Sequence, residues 1–205
     1  MKKQMNFCIA LLVAFVSLLG GCGKQSHEPA KTSQTASVYI NERLVRDNEE
    51  IIYSVVLDEP KRYATLCMDQ RGEYIAFRIG TAENLVAEIV DPTWTQFRYS
   101  TYRRGGLDPY REAFVHIDDE NLTYGLGTAC EVTIFAEEER MEEKWIYSLT
   151  VENKKTRAVV EGFNDTIDSS VVGNLIYTLY DVMSSSGYGT LTPELIESGR
   201  KYSGS

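Results

Sequence analysis

The stretch from Tyr63 to Ile79, YATLCMDQRGEYIAFRI, has the pattern of two β-strands joined by a tight turn. Its first six residues are mostly apolar, and residues 69–72 then supply polar and flexible turn positions. After the turn, Ile75, Phe77 and Ile79 occupy every second position, which is the period of a strand with one buried face. The stretch therefore predicts an antiparallel hairpin.

Similar patterns recur on both sides of this hairpin. Further strands are predicted at 38–46, 50–57, 85–90, 96–102, 111–117, 130–136, 144–152 and 156–163. The 13 tyrosines of the chain, with its many valines, isoleucines and threonines, suit half-buried sheet surfaces. The predicted fold class is mainly β, an antiparallel sandwich or a barrel-like sheet, with one C-terminal amphipathic helix.

That helix is predicted where the period of the apolar residues changes. From Ser169 onward, they recur at helical spacing at Val172, Leu175, Ile176, Leu179 and Met183. Asp168 or Ser169 is expected to cap the helix by accepting bonds from its first N–H groups. Residues 184–205 are predicted to be a polar tail in which Pro193 begins a short helix.

The N-terminus has the layout of an export signal. Lys2 and Lys3 precede an apolar run of 13 residues, Phe7 to Leu19. As a helix this run is about 20 Å long, which is too short for a bilayer core of about 30 Å and is typical of a signal peptide. Residues 1–21 are therefore predicted to be removed on export.

The end of the run, Leu19-Gly20-Gly21-Cys22, resembles the lipobox of bacterial lipoproteins. The resemblance covers residues 1–23 and implies that Cys22 is acylated and becomes the first residue of the mature protein. It implies a lipid-anchored location in the cell envelope. In a Gram-negative cell this is the outer membrane, facing the periplasm, since Gly23 is not the aspartate associated with inner-membrane retention. An ordinary secretory signal with an incidental cysteine is the alternative.

The rest of the chain is predicted to form one domain on a tether. Residues 22–37 read as a lipidated flexible tether because residues 24–37 lack large apolar groups. Residues 38–183 are predicted to be a single β-rich domain. The formal net charge of −9 disfavours nucleic acid, which is bound through Lys and Arg. Membrane contact is expected through the lipid anchor, and a basic protein partner would be attracted.

Cys67 and Cys130 are the cysteines that remain after Cys8 leaves with the signal and Cys22 takes the lipid. Cysteines of exported domains usually pair, so a disulfide between Cys67 and Cys130 is predicted. Two buried free thiols are the alternative. The segments EYIAFRIGTAENL and FRYSTYRRGG, with the later EGFNDTID, also resemble a group of uncharacterised small exported bacterial proteins across residues 63–167. That resemblance implies no activity.

Motifs for catalysis or cofactor binding are largely missing from the sequence. His116 is the one histidine in the predicted domain, and Asp118 shares its strand face, but no G-x-S-x-G supplies a serine. No C-x-x-C or H-E-x-x-H metal motif occurs, and the acidic residues 118–121 are read as a solvated turn rather than a calcium site. Gly125 and Gly127 are read as a strand break or bulge. No catalytic residue, metal or cofactor is predicted.

Residues 94–111 combine aromatic side chains with four arginines in an otherwise acidic protein. Aromatic rings and guanidinium groups together favour recognition of sugars, anions or proteins. The candidate binding surface consists of Trp94, Arg98, Tyr99, Tyr102, Arg103 and Arg104. An ordinary hairpin with cross-strand aromatic pairs is the alternative. The acidic run 137–143 is read as a solvated connection, or else as a loop that docks on a basic partner.

These features together favour a non-catalytic envelope lipoprotein that binds a protein partner. An inhibitor or immunity-type protein against a hydrolase that attacks the envelope is the most specific form of this hypothesis. The alternatives are an accessory structural lipoprotein of an envelope complex and an enzyme acting on envelope polymers.

Overall fold

The computed structural model describes residues 39–57, 61–106, 109–165, 171–184 and 186–203. The predicted signal peptide, the lipidation site Cys22 and the tether therefore lie outside the described residues. Among the residues described, no helix is long and apolar enough to cross a membrane.

The described strands form two antiparallel sheets. The first has the order β10-β1-β2-β3-β4, with strands β1 (Glu49–Leu57), β2 (Arg62–Asp69), β3 (Ile75–Gly80), β4 (Leu85–Asp91) and β10 (Val171–Val172). The second has the order β11-β5-β6-β7-β8-β9, with β5 (Phe97–Arg104), β6 (Tyr110–Asp118), β7 (Leu122–Phe135), β8 (Arg140–Asn153), β9 (Val159–Asp165) and β11 (Gly187–Thr190).

The two sheets pack face to face, and the core lies between them. The predicted hairpin is confirmed, because β2 and β3 pair with Leu66 opposite Phe77. Phe77 meets Tyr124 of the other sheet with ring centroids 4.9 Å apart. Tyr53 also crosses between the sheets and donates a hydrogen bond of 2.9 Å to the Gly127 carbonyl. The fold class is therefore confirmed as a mainly β sandwich, and a closed barrel is excluded.

The C-terminal part departs from the predicted boundaries. Within the stretch of helical period, Val172 lies in strand β10, and the described residues after it form a short helix α1 (Leu175–Thr178) and a 3₁₀ turn. Asn174 caps α1, and the predicted caps Asp168 and Ser169 lie outside the described residues. The longer helix α2 (Pro193–Ser203) begins at the predicted proline. Leu191 and Ile196 are buried in the main core, so the predicted end of the domain at 183 is wrong.

The segment before β1 is not the strand predicted at 38–46. Leu44 lies in it with a backbone φ of 64° and a fully buried side chain, and its carbonyl accepts a hydrogen bond from Arg78. Arg78 points away from the main core because its strand neighbours Phe77 and Ile79 point into it. The segment therefore covers the outer face of the five-stranded sheet.

A buried ion pair lies beneath that segment. The guanidinium of Arg78 donates to both carboxylate oxygens of Glu49, over 2.6 and 2.7 Å, and both side chains are inaccessible to solvent. Arg78 also donates to Glu88 over 2.6 Å, and the ring of Tyr39 lies 5.5 Å from its guanidinium carbon. A bidentate pair of this kind fixes the orientation of both side chains because its geometry is planar and directional.

The predicted disulfide is wrong, because Cys67 and Cys130 are both free and buried thiols. On β2, Leu66 and Met68 enter the core between the sheets, so Cys67 between them points to the opposite face. Cys130 points into the core from β7. The five-stranded sheet therefore separates the two side chains.

Both thiols are expected to resist alkylation in the folded protein. Burial raises the pKa of Cys67 to about 12 and that of Cys130 to about 11, so little reactive thiolate forms at pH 8. Peptide mapping after iodoacetamide treatment should find both cysteines unmodified in the native protein and alkylated after unfolding in guanidinium chloride. A disulfide-linked peptide pair in the unreduced digest would contradict the structure.

Candidate functional site

The predicted binding surface is divided by the alternation of its strand. Trp94 is in the core with 6% of its surface exposed, and Tyr99 packs partly against the core. Since Tyr99 faces inward, Arg103 is on the same side, whereas Arg98, Tyr102 and Arg104 project from the outer face. Of the six residues of the predicted binding surface, three therefore share one outward face: Arg98, Tyr102 and Arg104.

Neighbouring strands add side chains to that outer face. Tyr188 of β11 is opposite Ser100 of β5, and His116 of β6 is opposite Arg98. The ring of Tyr110 lies tilted beside that of Tyr102, with ring centroids 6.0 Å apart. We call the combined surface the aromatic–arginine face, and its members are Arg98, Ser100, Tyr102, Arg104, Tyr110, His116 and Tyr188.

Large aromatic side chains on this face are open to solvent. Tyr188 is 91% exposed, and Tyr102 is 46% exposed. The Arg104 guanidinium carbon lies 5.9 Å from the centroid of the Tyr110 ring. Exposed tyrosine beside arginine is the composition of residues that dominate protein interfaces.

His116 is held at the centre of the face. Its Nε2 lies 2.8 Å from the Ser100 hydroxyl, and its ring stacks on Phe114 with centroids 6.0 Å apart. Burial, assisted by the positive charge of Arg98, lowers the pKa of His116 below its ordinary value. The imidazole is therefore neutral near pH 7 and can exchange a hydrogen bond with Ser100.

Asp118 contacts partners other than a catalytic histidine. Its carboxylate accepts hydrogen bonds from Arg98 and, over 3.0 Å, from Thr123, and Lys154 lies 3.4 Å away. Burial opposes ionisation of Asp118, but the Thr123 bond and the two cations outweigh it and lower the pKa. Asp118 therefore orients Arg98 on the face.

Two clefts meet at Arg98 and His116. One, of about 430 Å³, is lined also by Ser100, Tyr188 and Thr190. The other, of about 570 Å³, extends past Asp118 toward Lys154 and Arg157. A ligand that lies across the strands at Arg98 and His116 would contact both clefts.

Two glycines make room on the same face. The predicted break at Gly125 and Gly127 is wrong, because both lie inside the continuous strand β7. A Cβ atom on Gly127 would lie 2.2 Å from Cε1 of Phe114 and 2.3 Å from the hydroxyl of Ser148. Gly127 thus lets the Phe114 ring lie flat over the sheet beside His116.

The acidic run 137–143 forms the end of the β7–β8 hairpin. Arg140 pairs there with Glu138 over 3.1 Å and with Glu142, and its guanidinium stacks on Phe135 at 4.2 Å. Ile134 and Met141 face each other across the hairpin and are 45% and 61% exposed. The ion pairs of Arg140 with Glu138 and Glu142 neutralise part of the negative charge of residues 137–143.

In the described part of the chain, no group of three or more His, Cys, Asp or Glu side chains could hold a metal ion. Comparison of the chain with protein-family models, curated proteins and solved structures finds no match.

Proposed function

We propose that this chain is a lipid-anchored envelope protein that binds a protein partner, without catalysis, through the aromatic–arginine face. The observation that carries the proposal is the exposure of Tyr188, 91%, on the same face as Tyr102 and Arg98. Large exposed aromatic side chains contribute much binding free energy when a partner buries them, because they remove a large apolar area from water. Tyrosine also loses little conformational entropy when it is fixed.

The location in the proposal comes from the resemblance of residues 19–22 to a lipobox. A partner would then be a resident or invading protein of the envelope. The most specific form is an inhibitor that occupies a hydrolase with this face, and an accessory role in an envelope complex uses the same face with a resident partner.

A second candidate, hydrolysis, is favoured by one observation, the 2.8 Å contact between His116 and Ser100. Hydrolysis also requires hydrogen-bond donors that stabilise the negatively charged oxygen that develops in the transition state. Strand β5 is paired on both sides, with β6 and with β11, so the ladder engages the backbone N–H groups near Ser100. The geometry therefore supports binding better than acyl transfer.

The test is affinity capture with the full chain as bait against envelope and secreted extracts. The variant Tyr102→Ala/Tyr188→Ala is expected to lose a partner that the wild type captures, by at least about tenfold, because such anchors contribute about 2 kcal/mol or more when removed. Val86→Ala/Val90→Ala is the control, since those apolar side chains are 58% and 40% exposed on the other sheet.

Equal capture by both double variants would show that the partner does not bind at the aromatic–arginine face. Under the binding proposal, Ser100→Ala should weaken capture less than Tyr102→Ala/Tyr188→Ala does, because it removes one small polar group. If an esterase or amidase activity of the wild type disappeared in Ser100→Ala while the fold was retained, hydrolysis would replace binding as the function.

A further inference from the structure

Arg103 and Arg111 are directly opposite each other on β5 and β6. Both lie on the inward side of the sheet, beyond the end of the core. They line a pocket of about 160 Å³ together with Ile176, Tyr180, Met183 and Ser184. This pocket is on the other side of β5 from the aromatic–arginine face.

The pairing of these arginines is electrostatically unfavourable by itself. Like charges directly opposite each other on neighbouring strands destabilise a sheet. Among the described residues, no carboxylate within 4.0 Å forms an ion pair with either guanidinium. Two guanidinium groups that border one pocket therefore supply a positive potential that an anion would neutralise.

We propose that Arg103 and Arg111 bind a phosphate group in this pocket. Guanidinium groups donate two parallel hydrogen bonds to phosphate oxygens, and two of them can engage different oxygens of one tetrahedral group. The hydroxyls of Tyr180 and Ser184 border the same pocket as further donors, and Ile176 and Met183 form an apolar wall. The volume admits one phosphate group, either a free ion or the phosphate of a larger molecule such as a lipid headgroup.

The test is isothermal titration calorimetry on the full chain in a nonionic detergent without phosphate. Inorganic phosphate is titrated in one arm and glycerol 1-phosphate, a headgroup phosphomonoester without acyl chains, in the other, at an ionic strength fixed with sodium chloride. Saturable binding in either arm is expected for the wild type. Tighter binding of glycerol 1-phosphate would identify a phosphate carried by an organic group, and tighter binding of inorganic phosphate would identify the free ion.

The variants Arg103→Gln and Arg111→Gln should each weaken binding about tenfold or more, since each removes charge-assisted hydrogen bonds. Arg104→Gln is the matched control, because it removes the same charge from the adjacent residue on the outer face, and it should bind as the wild type does. A thermal unfolding scan of each variant verifies the fold. Absence of saturable binding in both arms, or equal weakening by Arg104→Gln, would overturn the proposal.

Discussion

Replacing Glu49 by alanine is expected to lower the free energy of unfolding by about 3–5 kcal/mol, because it removes the bidentate partner of the buried Arg78 guanidinium and leaves that charge with the partly exposed carboxylate of Glu88. Arg78 is fully buried and donates two hydrogen bonds to Glu49, and its own charge persists because its pKa lies above any accessible pH. Urea unfolding at pH 7 followed by tryptophan fluorescence measures the loss.

Two control variants separate the buried charge from loss of contacts. Glu88→Ala removes a partner of Arg78 that is 30% exposed, so a smaller loss is expected. Glu49→Leu/Arg78→Met replaces both charges by apolar groups and should recover part of the stability lost in Glu49→Ala. A Glu49→Ala protein as stable as the wild type would contradict the description of this pair as buried and coupled.

The same pair sets a direction for the pH dependence. Burial opposes ionisation of Glu49, but the hydrogen bonds from Arg78 prevail and lower its pKa below the ordinary value of 4.5. A lowered carboxyl pKa contributes stability that is present above pH 4.5 and is lost as the pH falls toward the folded-state pKa. The wild type should therefore lose more stability between pH 5 and pH 3 than Glu49→Leu/Arg78→Met does.

Replacing Gly199 by alanine is expected to destabilise the protein by about 1–3 kcal/mol, the usual cost of overpacking. Helix propensity alone predicts the opposite sign, a gain of about 1 kcal/mol for glycine to alanine inside a helix. A Cβ atom on Gly199 would lie only 2.0 Å from the carbonyl oxygen of Thr178 in α1. Since that neighbour is backbone, α2 would have to move away from α1.

Glu197→Ala is the control for this variant, because Glu197 is exposed on the same helix. It should change the free energy of unfolding by no more than about 0.5 kcal/mol. Urea titration of both variants gives the comparison, and a Gly199→Ala protein more stable than the wild type would show that the two helices do not make this close contact.

Strand periodicity accounts for what could be predicted from the sequence. The alternation of Ile75, Phe77 and Ile79 gave the central hairpin correctly, because one face of that strand is buried. The same alternation, applied to Arg103 and Arg104, would have separated them onto opposite faces. It would also have placed Cys67 opposite to Leu66, which argues against a disulfide through the core.

The composition of the aromatic–arginine face could not be predicted in the same way. Tyr188 lies next to Ser100 only because β11 returns to the edge of the sheet beside β5, far along the chain. No local pattern records such a pairing, since register between distant strands is fixed by the assembled core. The contact between Ser100 and His116, by contrast, joins consecutive strands and depends on the register of the β5–β6 pair.

The most direct test of the proposed binding face is photo-crosslinking in cells. Tyr188→p-benzoylphenylalanine places the probe on the aromatic–arginine face, and Val86→p-benzoylphenylalanine places it at a 58% exposed position on the other sheet. Binding through the aromatic–arginine face predicts one specific protein adduct from position 188 and none of that mass from position 86. An adduct from position 86 alone, or the same adduct from both, would contradict it.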